Sequence, residues 1–300
     1  MKKNKILITG GTGFIGYHLA KKCIDLNWSV DSISTKLPQK KRFLKKVKYF
    51  TFDISNKKKL ENKLSVNYDY VVNLAGYVDH SNKKKTIRSH FNGCKNLAEF
   101  FLNSSIKKFV QIGSSIEYGK TKSPQKEDQK KFSNTFSYYG KAKLLSTKLL
   151  LKLFKEYKLP VTILRLYLVY GPKQDVNRII PITIFNSIKN KKFDCSSGKQ
   201  LRDFIYIDDV IEAIIKTLKN ESVSGEIINI GSGHPITIKK IIKTICRLIQ
   251  GGHPVFGKIK LRRDEVLKLY PNISKAKKLL KWKPKTELIR GLKKTIKYLN

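Results

Sequence analysis

The stretch LITGGTGFIG, residues 7–16, joins an apolar run to three glycines spaced three residues apart, Gly10, Gly13 and Gly16. An apolar run before the glycines and another after them predict a β-strand that turns directly into a helix. In such a unit, this spacing allows a tight turn, close approach of the backbone to a pyrophosphate, and close helix–strand packing. The N–H groups at the start of the helix would face the phosphates. We therefore predict a dinucleotide-binding turn, with a purely structural glycine bend as the alternative.

Strand and helix patterns alternate through the first half of the chain. The predicted strands are 5–9, 29–34, 47–52, 70–74, 108–112 and 161–166, and the predicted helices are 14–26, 83–103 and 138–157. Because the strands are almost continuously apolar, they indicate a parallel sheet covered on both faces. The predicted fold class is α/β: a Rossmann-type doubly wound parallel sheet, residues 1–170, with a smaller C-terminal α/β lobe, residues 171–300. We expect the chain to return to the main sheet around 204–230.

The formal net charge of +41 is the unusual feature of the composition. Lysine and arginine neutralise phosphates, so nucleic-acid binding is one explanation. The basic clusters, however, are scattered over many segments, and only nine of the 63 basic residues are arginine, the residue favoured for bidentate phosphate contacts. We therefore expect a lysine-coated surface and no nucleic-acid partner. Such a field still attracts a small polyanionic substrate.

Apolar runs and cysteines narrow the class of protein further. No run reaches the ~18 apolar residues of a membrane span, so we expect no membrane contact. The apolar run after the basic opening MKKNK is shorter than the roughly 7–15 residues of a signal-peptide core, so we expect no signal peptide. The four cysteines lie far apart with no CxxC pair, which favours reduced thiols, a cytoplasmic location and no metal site.

Further motifs follow the glycine turn in a fixed order. TGGTGFIG resembles the TGxxGxxG fingerprint of extended short-chain dehydrogenases/reductases, the NAD(P)-dependent nucleotide-sugar epimerase/dehydratase family. The stretches similar to other family motifs are FTFDIS at 50–55, NLAG at 73–76, GSSIEYG at 113–119, YGKAK at 139–143, LRLYLVYGPKQ at 164–174 and RDFIYIDDV at 202–210. The resemblance implies an NAD(P)-binding first domain, a second lobe that binds a nucleotide-diphosphate sugar, and a homodimer formed through the helices at 83–103 and 138–157.

Tyr139, Lys143 and Ser114 are the candidate catalytic residues. Tyr139 and Lys143 are four residues apart, so on a helix they share a face. A nearby ammonium favours tyrosinate, and we expect it to lower the pKa of Tyr139 towards the range of a general acid/base. Ser114 could hydrogen-bond the substrate oxygen whose charge changes. The alternative for Tyr139 and Lys143 is an ordinary surface pair.

The cofactor-binding candidates surround the glycine turn and the ends of the following strands. A site that prefers NAD places an acidic residue at the end of the second strand, where this chain has Ser34, Thr35 and Lys36; Asp31 comes three residues too early. These three residues could neutralise a 2′-phosphate, so we expect NADP(H), with NAD as the alternative. The full set is Gly10, Thr12, Gly13, Phe14, Ile15, Gly16, Ser34, Thr35, Lys36, Asp53, Ile54, Leu74, Ala75, Gly76, Tyr139 and Lys143.

Three reactions share this scaffold by resemblance: 4-epimerisation, 4,6-dehydration and reduction of a keto sugar. The dehydratases carry a Glu two positions after the active-site Ser or Thr, whereas this chain has Ile116 there and Glu117 one position later, pointing elsewhere. We therefore expect an NADPH-dependent 4-keto (deoxy)sugar reductase, with a 4-epimerase holding NAD as the alternative. A binding protein on a retired enzyme scaffold is a further alternative, which intact Ser114, Tyr139 and Lys143 disfavour.

The substrate-side candidates lie mostly in the second half of the chain. Arginine matches the geometry of phosphate groups, which singles out several of them. The candidates are Ser115, Asn177, Arg178, Arg202, Tyr206 and Arg263, with Arg262 as a weaker one. Leu168 replaces the family's asparagine in NVYG, which puts the usual phosphate contact in doubt.

Overall fold

The computed structural model describes residues 3–77, 82–129, 137–261 and 265–300. The strands in these ranges are β1 Lys5–Thr9, β2 Ser29–Ser34, β3 Val47–Thr51, β4 Tyr70–Asn73, β5 Lys108–Ser114, β6 Val161–Leu166, β7 Leu168–Tyr170, β8 Lys192–Cys195, β9 Leu201–Tyr206, β10 Ile227–Ile230, β11 Pro235–Thr237, β12 His253–Phe256 and β13 Lys268–Leu269. The helices are α1 Phe14–Asp25, α2 Lys57–Lys63, α3 Lys83–Ile87, α4 Gly93–Phe100, α5 Tyr138–Tyr157, α6 Ile179–Ile188, α7 Ile207–Leu218, α8 Ile238–Ile249, α9 Ser274–Leu280 and α10 Leu288–Leu299.

A seven-stranded parallel sheet, all of whose strands lie within the described residues, forms the centre of the fold. Its strand order is β10-β6-β5-β4-β1-β2-β3. Successive side chains of a strand point to opposite faces. Ile6 and Ile8 of β1 therefore join the core that includes α1 and α7, whereas Leu7 joins the core that includes α4 and α5. Helices cover both faces, and the predicted Rossmann-type doubly wound fold is confirmed.

The helix predicted at 83–103 differs from the observed structure. It consists of α3, a π-helical turn at Arg88–Asn92, and α4. A π-helical turn shifts the backbone hydrogen bonds by one residue and occurs often at functional sites. The short helix α2 was not predicted, because its sequence KKKLENK places only Leu60 in the core and so lacks an apolar repeat.

The C-terminal lobe is built on a second, smaller sheet. In the described residues β11, β9 and β13 lie side by side, β7 pairs with β9, and β8 pairs with β12. The chain returns to the main sheet through α7, which packs on α1 and β5, and through the edge strand β10. No helix in the described part of the chain is long and apolar enough to cross a membrane.

Candidate active site

The glycine turn joins β1 to α1 in a very close packing. Gly10 has φ +73° and its N–H donates to the carbonyl of Ile33 at 2.7 Å. A Cβ on Gly16 would lie 2.4 Å from the carbonyl oxygen of Gly10, and one on Gly11 would lie 2.3 Å from the Ser32 hydroxyl. Gly13, the N-cap of α1, brings no side chain to the first N–H groups of the helix. These N–H groups are therefore available to bind an anion.

The carboxyl ends of β1 and β4 and the middle of β5 lie beside this turn. The Asn73 side chain accepts a hydrogen bond from Thr9 Oγ1 at 2.6 Å and donates to Gln111 Oε1 at 2.7 Å. A Cβ on Gly10 would lie 2.9 Å from the backbone of Leu74, and Ala75 N donates to Asn73 Oδ1 at 3.2 Å. The predicted cofactor residues Leu74, Ala75 and Gly76 thus continue directly from this polar ladder.

The end of β2 carries no acidic side chain toward the turn. Ser34 is half-buried and its Oγ accepts the Thr12 N–H at 3.4 Å, while Thr35 and Lys36 are exposed. Asp31 is buried and accepts the Tyr68 hydroxyl at 2.6 Å, so its carboxylate is engaged three residues before the strand end. The side chains at this strand end are therefore two hydroxyls and an ammonium.

The loop after β3 holds the remaining cofactor candidates. Asp53 accepts the Ser55 N–H at 2.9 Å and lies 3.6 Å from Arg88 Nη2. Ile54 is buried, and a Cβ on Gly93 of α4 would lie 2.9 Å from its side chain. The loop is therefore packed against α4.

The three predicted catalytic residues lie together at the end of β5 and the start of α5. Ser137 caps α5 by accepting the Gly140 N–H at 3.1 Å, which places Tyr139 and Lys143 in the first two turns. The Ser114 hydroxyl lies near enough to the Tyr139 phenol to act on its pKa as a hydrogen-bonding group. Lys143 is buried, and its Nζ donates to the Ile112 carbonyl at 2.7 Å. This arrangement allows proton transfer at an oxygen bound near Ser114 and Tyr139.

The expectation that Lys143 lowers the pKa of Tyr139 is wrong for this structure. Burial raises the pKa of Tyr139 and the charge of Glu117 raises it further, while the Ser114 hydrogen bond and the charge of Arg178 oppose the rise. Burial lowers the pKa of Lys143, opposed by Glu117 and Cys94. Desolvation disfavours both charged forms, and the sequence pattern does not reveal it.

Two neighbours of the predicted catalytic group were given no role from the sequence. The ring of His90, in the π-helical turn, packs edge-on against Tyr139 with centroids 4.9 Å apart. Glu117 was expected to point elsewhere; it is fully buried and forms an ion pair with Arg165 at 2.9 Å. The signal in the sequence for the close approach of His90 was Gly76, because a Cβ on Gly76 would lie 2.0 Å from the His90 ring.

The substrate candidates are only partly brought together. Asn177 and Arg178 are exposed side chains on a cleft of about 230 Å³, which Leu168, Val169 and Phe204 also line. Arg178 is close enough to Tyr139 for its charge to act on the phenol. The cleft therefore lies beside the catalytic group.

The other substrate candidates in the described residues do not line this cleft. Arg202 donates to Leu201 O at 2.9 Å and forms an ion pair with Glu265. Tyr206 is buried with its ring 5.6 Å from that of Tyr170, and Ser115 is buried in the turn after Ser114. Neither Arg202 nor Tyr206 is among the described residues that line the cleft. Arg262 and Arg263 lie outside the described residues.

The fold is Rossmann-type, and the site combines a Ser–Tyr–Lys group with the glycine turn predicted to bind a dinucleotide. The family comparison agrees and is more specific. The model of the NAD dependent epimerase/dehydratase family matches residues 6–231, and the chain belongs to this family.

Several relatives match along almost the whole chain. UDP-N-acetyl-alpha-D-glucosaminuronate decarboxylase of Bacillus cytotoxicus is 29% identical over 317 residues, covering 99% of this chain and 98% of the relative. The structure of UDP-glucose 4-epimerase from Thermotoga maritima with UDP-glucose has a TM-score of 0.92 at 27% identity, covering 98% of both chains. UDP-glucuronic acid 4-epimerase from Bacillus cereus, in complex with UDP-glucuronic acid and NAD, has a TM-score of 0.87 at 28% identity and covers 98% of both chains.

Proposed function

We propose that this protein is an NAD-dependent UDP-sugar 4-epimerase. The observation that carries the proposal is the grouping of Ser114, Tyr139 and Lys143 beside the glycine turn and the cleft of Asn177 and Arg178. Proteins similar in fold and at 27–28% identity bind UDP-sugars, one of them together with NAD, and two are 4-epimerases. These comparisons support epimerisation and NAD better than the NADPH-dependent reduction expected from the sequence.

The residues of the glycine turn fit a dinucleotide. Side chains at Gly10, Gly11 and Gly16 would collide with neighbouring protein atoms, so glycine allows the tight turn and the close helix–strand packing, and Gly13 leaves the helix N–H groups uncovered for a pyrophosphate. Leu74, Ala75 and Gly76 would lie under the nicotinamide half. Asp53 would meet the adenine. NAD, when bound, supplies reversible hydride transfer at a sugar carbon.

Tyr139 would carry the proton of the sugar hydroxyl in both directions. Its raised pKa favours the phenol, the form that donates a proton to the keto oxygen in the reduction half. In the oxidation half the phenol would first lose its proton and, as tyrosinate, accept that of the sugar hydroxyl. The Ser114 hydroxyl would orient the sugar oxygen in both halves. Lys143 would hold the nicotinamide ribose. Arg178 and Asn177 would bind the diphosphate, since arginine pairs well with phosphate oxygens.

The cleft wall is consistent with inversion at a carbon. Leu168, Val169 and Phe204 contribute apolar surface to the cleft. An apolar wall does not fix a sugar ring by hydrogen bonds, so a 4-keto sugar could present either face for reduction.

A second candidate, a 4-keto sugar reductase that uses NADPH, is favoured by one observation. Exposed Thr35 and Lys36 follow half-buried Ser34 at the end of β2, and all three could accommodate a 2′-phosphate. A reductase exchanges its cofactor in each cycle, whereas an epimerase reuses it. The two candidates therefore differ in what the purified protein retains.

The deciding experiment identifies the retained cofactor. The protein is purified without added cofactor and denatured, and any released nicotinamide is identified by mass. It is then assayed with UDP-glucose, UDP-glucuronic acid and UDP-N-acetylglucosamine for the C4 epimer. Stoichiometric NAD and interconversion of one pair support the epimerase. NADP(H) or an empty site, with turnover only of a 4-keto sugar and NADPH, would support the reductase.

The homodimer implied by the family resemblance stays a prediction. It would form through α5 and the helices at 83–103. Sedimentation at working concentration tests it, and a monomer alone would contradict it.

A further inference from the structure

Glu117 connects three elements of the fold directly beneath the catalytic group. Its Oε1 accepts the backbone N–H of Ser114 at 2.7 Å. Its Oε2 accepts the Thr147 hydroxyl of α5 at 2.8 Å and Arg165 Nε of β6 at 3.0 Å. Thr147 lies one turn beyond Lys143 on the same helix. One carboxylate therefore ties the strand end that carries Ser114 to the helix that carries Tyr139 and Lys143.

The residues around the Glu117 carboxylate leave room for it in the core. Glu117 and Arg165 are both fully buried. A Cβ on Gly113 would lie 2.6 Å from Glu117 Oε1, so only glycine leaves room for the carboxylate there. The Arg165 guanidinium lies 4.3 Å from the centre of the Tyr118 ring. A buried ion pair gives little net stability, because desolvation offsets the attraction. Stability alone does not account for a pair at this position.

The charge of Glu117 also acts on both predicted catalytic side chains of α5, Tyr139 and Lys143. It raises the pKa of Tyr139 and that of Lys143. The other groups that act on them are Ser114 and Arg178 at the phenol and Cys94 at the ammonium. The His90 ring packs on the phenol as well. Glu117 is the carboxylate common to both.

We infer that Glu117 is a positioning residue of the site: through its hydrogen bonds to the Ser114 N–H and the Thr147 hydroxyl, it holds the backbone of Ser114 against helix α5. The inference rests on the proposed function only for the reaction in which these residues act. Glu117 is fully buried and its oxygens are engaged by Ser114, Thr147 and Arg165, so it is not placed to contact a substrate.

The test compares variants that remove the charge with one that removes only a link. Glu117→Gln removes the charge, and Thr147→Val removes one hydrogen bond at constant charge. Glu117→Met with Arg165→Met removes both buried charges and covers the case in which an unpaired Arg165 prevents folding. Asp209→Asn is the matched control, since Asp209 is also a buried carboxylate and accepts backbone N–H groups of Lys285 and Thr286 in the other lobe.

Two readouts separate positioning from general stability. The first is kcat and KM for the epimerised UDP-sugar. The second is the titration midpoint of Tyr139, followed by NMR on protein labelled with ¹³C at tyrosine Cζ and assigned with Tyr139→Phe. We expect Glu117→Gln to lower kcat about tenfold or more with little change in KM, and to move the Tyr139 midpoint down, because the charge of Glu117 raises the pKa of the phenol.

The remaining variants sharpen the result. The double variant should also lower the midpoint, Thr147→Val should reduce kcat without moving it, and Asp209→Asn should lower only the thermal stability. A folded Glu117→Gln or double variant with the wild-type midpoint and kcat overturns the inference. The Tyr139 midpoint is measured without substrate and does not depend on the proposed function. If the wild type lacks epimerase activity, the proposed function fails, but the midpoint still decides the role of Glu117.

Discussion

Replacing Gly16 by alanine should disturb the glycine turn in a way that can be measured. The new methyl carbon would lie 2.4 Å from the Gly10 carbonyl oxygen and 2.6 Å from the Cα of Gly11. Carbon atoms normally meet at about 3.5–4.0 Å, and both obstacles are backbone atoms that no rotamer change can move. Helix α1 must therefore move away from β1 by roughly an ångström to restore ordinary contact distances.

The size of the effect follows from two opposing terms. Alanine in place of glycine favours a helix by up to about 1 kcal/mol, whereas overpacking of this kind costs about 1–3 kcal/mol or more. We expect a net loss of about 1–2 kcal/mol, which lowers the melting temperature by several degrees. A displaced helix start also moves the N–H groups that would face the pyrophosphate, and each ~1.4 kcal/mol lost there weakens NAD binding tenfold.

Gly13→Ala is the matched comparison for this variant. A Cβ on Gly13 would lie 3.2 Å from the Gly10 carbonyl oxygen, and its φ of −77° suits alanine. We expect near wild-type stability but weaker NAD binding, because the methyl group would face the pyrophosphate. Thermal unfolding and calorimetric titration with NAD measure both quantities. Wild-type stability and NAD affinity in Gly16→Ala would refute the argument.

Three further predictions concern separate parts of the molecule. Tyr139→Phe should keep the fold and reduce turnover about 10²–10⁴-fold, because it removes the proton carrier; a smaller loss than tenfold would contradict its assignment. Arg42 donates to the Lys173 carbonyl at 3.1 Å and to the Asp175 carboxylate at 2.8 Å. Arg42→Ala should therefore increase amide hydrogen exchange at 173–175. Unchanged exchange would exclude this contact in solution. Burial lowers the pKa of Lys108 from 10.5 to about 8. Between pH 8 and pH 10.5 the unfolded chain binds more protons than the folded one, so the free energy of unfolding should rise with pH across that interval. Denaturant unfolding measures this rise, and Lys108→Met should not show it.

Local patterns were sufficient for most of the main sheet. The predicted bounds of β1, β2, β6 and α5 agree with the structure, because continuous apolar runs and a long capped helix are visible in single segments. The π-helical turn at Arg88–Asn92 was not visible, since it changes backbone hydrogen bonds without changing the side-chain repeat. The short strands of the second lobe were also missed for the most part. They are stabilised by partners distant in sequence, such as β7 with β9.

The sequence by itself determined the glycine turn and the family, and it was sufficient to predict Ser114, Tyr139 and Lys143 as the catalytic group, because glycine spacing and an i, i+4 pair are local properties. Only the tertiary structure decided the electrostatics of that group. Glu117 meets Arg165 across 48 residues of sequence, and burial raises the pKa of Tyr139 where the local pattern indicated a lower one. Desolvation and ion pairing depend on which distant segments exclude water from a site, and that is settled only when the sheet and its helices have packed.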